Sequence, residues 1–385
     1  FIWLFYLGCA LATLTKGPVG LGMPGLIVVA YLSFSRRWSL FWKRGHPLTG
    51  ALLYLLVALP WFAAMVWLHG EAYFSQLKAD NLGRFLSPME GHGGTPLFYL
   101  PVLFFGFFPW SAFLPFAWFQ GLKESRGKEP EDPLSQEFPF LAALWAGIVF
   151  IFFTVSATRL PHSIAPLFPA ASFWVAHYFA KSWVEENITG LKEGFFIMMG
   201  LGLILGGTFL SAPYWLDRAL PPDISLPLDW DTGIIGSVLI LGSLAAGILG
   251  LCQRKVLHSF GMSLVFMSFA LFFLLHSTLP QIGETLISPA QEILKKFRSS
   301  FASGDRMVFY NLYRPSLIFY AQRKGHFFQG GQEEALKAFS ETSGQVFLLL
   351  PELEKHSLPE ELKNWNELVN EKGYLLLAKK HPEYR

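Results

Sequence analysis

The sequence predicts a polytopic α-helical membrane protein (a transmembrane helical domain followed by a C-terminal α/β soluble domain), and three observations carry that prediction. The first is composition: 52% of the 385 residues are hydrophobic, 15% are charged, and mean hydropathy is +0.38. A soluble chain carries about a quarter charged residues. The second is phenylalanine, present 39 times, which suits lipid-facing helices better than a soluble core. The third is a change along the chain: long apolar runs recur to about residue 280, and from about 290 the composition becomes that of a soluble protein.

A spanning helix needs about 20 mostly apolar residues. Nine stretches approach that, at 1–15, 18–35, 48–68, 99–121, 138–156, 164–180, 195–212, 233–252 and 259–279. Their connecting loops fall into two alternating sets. One holds eleven basic residues: Arg36, Arg37, Lys43, Arg44, Lys123, Arg126, Lys128, Lys181, Lys192, Arg254 and Lys255. The other holds five: Lys16, Lys78, Arg84, Arg159 and Arg218. Loops rich in Lys and Arg stay cytoplasmic, so the second set and everything after the last span are expected on the outer side. The expected boundary lies at 282/283, with a transmembrane domain at 1–282 and a soluble domain at 283–385. The chain starts at Phe1 inside an apolar run, with no charged n-region and no small-residue cleavage site. That start reads as a chain lacking an N-terminal portion and not as a signal peptide.

The last hundred residues alternate helix and strand patterns. AQEILKKF (290–297) reads as helix and RMVFYNLY (306–313) as strand. Then follow a helical run at Pro315–Arg323, a short strand at His326–Phe328, and helical QEEALKAFSE (332–341). Strand QVFLLLP (345–351), a charged helix near Leu358–Val369 and GYLLLAKK (373–380) complete the domain. Such alternation predicts a small α/β layer, and the unbroken VFLLL run suits a strand buried on both faces.

A net charge of +2, spread in short clusters between apolar runs, gives no footprint for nucleic acid. Cys9 and Cys252 both lie in apolar stretches and read as small core residues. No P-loop, G-x-G-x-x-G, H-E-x-x-H or C-x-x-C pattern occurs.

The outer loops hold the candidate chemistry: Thr15-Lys16-Gly17-Pro18, the segment 69–98, and 156–163. Together they bring Lys16, Arg84, Glu90, His92, Arg159 and His162 to one side of the membrane. Cations there run against the positive-inside bias. A phosphate at the membrane surface needs fixed positive charge, bidentate from Arg and point-like from Lys. Glu90 and His92 have the chemistry to hold a divalent metal ion or to move protons. Plainer readings stand beside these. Lys16 and Arg159 fit helix ends that snorkel to headgroups, Arg84 fits a pair with Asp80, and His162 fits an interfacial polar residue. His92 also fits a surface loop residue. Tyr99, Trp61 and Trp110 fit an interfacial aromatic belt.

LTKGPVGLGMPGLI (14–27), NLGRFLSPMEGHGGTPLFYLPVLFFGFFPW (81–110) and FTVSATRLPHSIAPLFPA (153–170) together resemble the bacterial branch of the protein mannosyltransferase superfamily. Within it they are most similar to the ArnT-type 4-amino-4-deoxy-L-arabinose transferases of lipid A, and RPSLIFYAQRK (314–324) fits the same branch. The resemblance implies a GT-C fold and transfer of a sugar from an undecaprenyl-phosphate donor at the periplasmic face of the bacterial inner membrane. The acceptor would be lipid A or another glycolipid, and a protein acceptor is the close variant. It further implies about thirteen spans with four of them ahead of Phe1, and a periplasmic C-terminal domain. By the resemblance, Lys16, Arg84 and Arg159 are the donor-phosphate contacts and His92 is a metal ligand; Glu90, His162 and Tyr99 are the further candidates for substrate contact. The family's Lys is Arg159 here and its Tyr is Ser163. The family's catalytic acid and metal-ligating Glu belong to a first outer loop that this chain lacks, so the chain alone is expected to be inactive. From another class, a transporter of lipid-linked substrates would show repeated halves, and none is visible.

Overall fold

The computed structural model describes residues 1–87, 95–124, 133–185, 190–219, 229–252, 255–302, 304–342 and 344–379. The chain packs as two compact units, Phe1–Leu203 with Gly242–Leu264, and Ile204–Leu241 with Val265–Arg385. This division follows packing, whereas the sequence boundary at 282 follows composition.

Apolar sequence becomes helix wherever it is long enough to satisfy its own backbone, as a membrane requires. Among the described residues, five helices are long and apolar enough to cross a bilayer: Pro47–Gly83, Phe138–Val155, Leu191–Leu216, Asp231–Cys252 and Val256–Ser300. The first two expected spans are the shorter apolar helices α1 (Ile2–Lys16) and α2 (Val19–Phe34). α3 (Trp38–Arg44) leads to α4 (Pro47–Lys78), which runs ten residues past its expected end and turns at Gly70, φ +56. Its helical winding continues as a π-helical turn, Ala79–Gly83, and a short helical turn, Arg84–Leu86.

The fourth expected span, 99–121, is not one helix. It divides into α5 (Tyr99–Gly106) and α6 (Leu114–Glu124), joined by the 3-10 turn Trp110–Ala112. Pro109 and Pro115 supply no N–H, so the ladder breaks between them. α7 (Pro133–Val155) matches the fifth span. The sixth begins late, because the Pro-rich stretch Pro161–Leu167 forms a 3-10 turn before α8 (Phe168–Val184). α9 (Leu191–Ala219), α10 (Asp229–Cys252) and α11 (Val256–Phe273) complete the bundle.

Close helix approach occurs at glycines. A Cβ at Gly50 would fall 2.2 Å from the Tyr6 ring, so α1 rides directly on the α4 backbone there. Tyr6 also donates its hydroxyl hydrogen to the Gly45 carbonyl at 2.8 Å, and Tyr54 donates to Thr13 Oγ1 at 3.3 Å. These contacts hold α1 against α4 and the turn before it.

Beyond π-helical turns at Leu274–Thr278 and Gly283–Ile287 comes α12 (Ser288–Phe297), followed by a five-stranded sheet. Its strands are β1 (Arg306–Tyr310), β2 (Gly325–Phe328), β3 (Val346–Pro351), β4 (Asn366–Glu371) and β5 (Tyr374–Ala378), in the order β2-β1-β3-β5-β4. β1 is parallel to β2 and β3, while β5 is antiparallel to β3 and β4. β3 is buried on both faces as its sequence demands. Phe347 and Leu349 face one core with Ile293 and Leu294 of α12. Val346, Leu348 and Leu350 face the other with Leu336 of α14 (Glu333–Thr342). α13 (Ser316–Ala321) connects β1 to β2.

One expected element is corrected. The charged helix near Leu358–Val369 is only a short turn, Glu360–Lys363, followed by strand β4. Its charge reflects an exposed sheet edge, where polar residues block further pairing. Lys372 (φ +50) and Gly373 (φ +75) form the tight turn that folds β4 onto β5.

Candidate functional site

The C-terminal ends of α1, α4 and α7 meet around one cavity of about 680 Å³. α1 contributes Thr13, Leu14 and Lys16, and α4 contributes Trp61, Phe62, Tyr73 and Leu77. The turns after α4 add Asp80, Asn81, Leu82 and Phe85, and α7 with its following loop adds Phe152, Phe153, Ser156, Thr158, Leu160, His162 and Ser163. The volume is that of a typical ligand site. Aromatic and aliphatic side chains form most of the wall, while Lys16, Asp80, His162, Asn81 and a group of hydroxyls supply its polar part.

Local sequence explains why Lys16 stands there. α1 ends at Gly17, whose φ of +70 suits a residue without Cβ, and Pro18 follows. Lys16 is thus the last helical residue, and the positive charge is favourable at a helix C-terminus. The 156–163 loop is stitched to the turn after α4. The Ala157 N–H donates to the Phe85 carbonyl at 3.0 Å, and Thr158 Oγ1 donates to the Ser87 carbonyl at 3.0 Å. These bonds carry His162 and Ser163 to the cavity wall.

The sequence candidates separate as follows. Lys16 and His162 line the same cavity. Arg159 is half-buried beside it, and its Nη2 donates to the Thr154 carbonyl at 3.0 Å, capping α7. Tyr99 is fully buried, with its hydroxyl near the Leu160 backbone, Ser163 and Arg159. Its burial takes it out of an interfacial aromatic belt. Arg84 opens the short turn Arg84–Leu86. Glu90 and His92 lie outside the described residues. Among the described residues, no three His, Cys, Asp or Glu side chains converge as a metal site.

Asp80 and Asn81 line the cavity without having been singled out for it, as do Thr13, Tyr73, Ser156 and Thr158. One signal was available: Thr13 and Lys16 are three apart on one helix and so share a face.

No protein-family model matches the chain. It is similar to the undecaprenyl phosphate-alpha-4-amino-4-deoxy-L-arabinose arabinosyl transferase of Edwardsiella ictaluri, 28% identical over 215 residues, 55% of this chain and 37% of that protein. The Pseudomonas paraeruginosa protein of the same name is 27% identical over 252 residues, 66% of this chain and 42% of that protein. The matched stretches thus span about two fifths of the length of these curated relatives. Crystal structures of ArnT from Cupriavidus metallidurans superpose over 98% of the chain. The one bound to undecaprenyl phosphate has a TM-score of 0.68 at 18% identity, with 69% of that chain covered. The apo structure has a TM-score of 0.69 at 19% identity, with 68% covered. The resemblance read from the sequence therefore extends to the backbone: this polytopic helical membrane protein, with its small C-terminal sheet, has the ArnT-type fold.

Proposed function

We propose that the intact protein is a membrane glycosyltransferase that moves a sugar from an undecaprenyl-phosphate donor to a glycolipid. The observation that carries this reading is the cavity, whose lining combines aromatic side chains with the polar groups of Lys16, Asp80, Asn81 and His162. A polyprenyl phosphate has the same two parts. Its chain fits the side chains of Trp61, Phe62, Phe85, Phe152 and Phe153, and its phosphate fits the Lys16 ammonium. The similar transferases and the ArnT structure with undecaprenyl phosphate support the same donor class.

In the transfer, an acceptor oxygen attacks the anomeric carbon as the bond to the phosphate oxygen breaks. The electron pair leaves with the lipid phosphate. Lys16 stabilises the charge that develops there, and such fixed electrostatic stabilisation is usually the largest single catalytic effect. Arg159 and Arg84 are the further phosphate contacts in this reading, with Arg159 releasing the Thr154 carbonyl to engage. His162, with Tyr99 behind it, shapes the sugar end. His92 and Glu90 would hold a divalent ion, whose positive charge would favour phosphate binding. The acceptor is lipid A, the sugar is 4-amino-4-deoxy-L-arabinose, the membrane is the bacterial inner membrane, and the domain at 283–385 is periplasmic.

Mass spectrometry of lipid A from cells with and without the full-length gene tests this. An aminopentose-bearing species should vanish on deletion, return with the wild-type gene, and stay absent with Lys16→Ala. Unchanged lipid A on deletion would remove lipid A as the acceptor.

A further inference from the structure

We propose that Asn81 is a positioning residue for Lys16, an inference that rests on the cavity being the donor-phosphate site. Both residues line the cavity, yet they reach it from different helices. The link between them is Gly17. A Cβ placed on Gly17 would lie 2.8 Å from Asn81 Oδ1 and 3.3 Å from Asn81 Nδ2. The Asn81 carboxamide therefore covers the Gly17 α-carbon and fills the volume that the missing side chain leaves. Gly17 has φ +70 and ψ −159, a backbone state of low cost only for glycine. That state sets the direction in which the chain leaves Lys16.

The carboxamide is itself held. Asn81 Nδ2 donates to the Leu77 carbonyl at 2.8 Å, one helical turn back. Asn81 belongs to the π-helical turn Ala79–Gly83, and such turns are frequent at functional sites. The wider winding re-aims the side chains beyond Lys78. The neighbouring Asp80 carboxylate accepts from Gln76 Nε2 at 3.0 Å on α4. Asn81 is neutral, so it wedges the Lys16–Gly17 junction without adding charge beside a phosphate site. Its removal frees that junction, and the ammonium loses its fixed station at the cavity.

The test uses the full-length protein in lipid nanodiscs, with two readouts. The first is amine labelling of Lys16 by mass spectrometry, with Lys78 and Lys43 as internal references. Asn81→Ala and Gly17→Ala, which disturb the contact from opposite sides, should each change Lys16 labelling about threefold or more and leave the references alone. The second is binding of undecaprenyl phosphate in a double-mutant cycle. Asn81→Ala should weaken binding about fivefold in the wild-type background and less than about twofold on top of Lys16→Ala, because contacting residues are not additive. A general structural role would give equal weakening in both backgrounds, and that result overturns the proposal, as does unchanged Lys16 labelling. If the wild-type protein binds no undecaprenyl phosphate, the donor reading falls, and the labelling alone decides whether Asn81 positions Lys16.

Discussion

The helical bundle and the C-terminal sheet are both built from apolar residues, but they sort inside from outside by different rules. In the sheet, Val346, Phe347, Leu348, Leu349 and Leu350 are buried to within 1% exposure, and β4, at one edge, is charged. Water makes that distinction, since apolar area removed from it stabilises the fold. In the bundle, Leu56 is 65% exposed, and no polar residue replaces it. Lipid tails are as apolar as leucine, so hydrophobicity does not mark the packed face. Glycine does. A Cβ at Gly194 would meet the Phe113 ring at 2.4 Å, and one at Gly250 would meet the Phe195 ring at 2.3 Å. The sheet thus packs large side chains against one another, while at these two points the bundle packs a buried aromatic ring against a glycine.

That contrast predicts a ranked series of effects. The largest belongs to the sheet. Leu348→Ala should destabilise it by about 2–5 kcal/mol through lost burial and a cavity, read as a lower urea midpoint for proteolysis of the β3 and β5 peptides. Next comes the bundle glycine. Gly250→Leu should cost about 1–3 kcal/mol by overpacking, seen as a lower Tm in detergent. A tolerated Gly250→Leu would break the claim that Gly250 marks a closely packed face.

A smaller, pH-dependent effect belongs to His326 on β2. Burial first, then the Arg306 and Lys324 cations, hold its imidazole below the ordinary 6.5. The unfolded chain then binds more protons than the folded one once pH drops through 6.5. Stability is full above that value and falls as pH is lowered towards the depressed folded value. Urea midpoints of the sheet should decline from pH 7.5 to 5.5, and His326→Gln should flatten the decline. The smallest effect is Leu56→Ala on the lipid face, which should change Tm by less than about 0.5 kcal/mol equivalent.

The same physics explains what was legible beforehand. Hydropathy alone located the bundle helices, because a membrane admits little else. It did not reveal the break in 99–121, where proline and not polarity interrupts the run. Lys16 and His162 stood out because Gly17, Pro18 and Pro161 punctuate the sequence beside them. Asp80 and Asn81 did not, since they follow α4 without a break and a π-helical turn has no compositional mark. The helix expected near Leu358–Val369 was misread from its charge, although Lys372-Gly373 before the apolar YLLLA carried the hairpin signal. β3 was read correctly because an unbroken aliphatic run has few other places to go.

The central claim is that one cavity joins a lipid-chain wall to a phosphate end, and photo-crosslinking tests it most directly. The probe is a polyprenyl phosphate with a photoreactive group on its chain, bound to the full-length protein in nanodiscs. The account predicts adducts on peptides carrying Trp61, Phe85 and Phe152–Phe153, suppressed by excess undecaprenyl phosphate and reduced in Lys16→Ala. Labelling spread over lipid-facing residues such as Leu56 and Leu264, with no competition and no effect of Lys16→Ala, would contradict it.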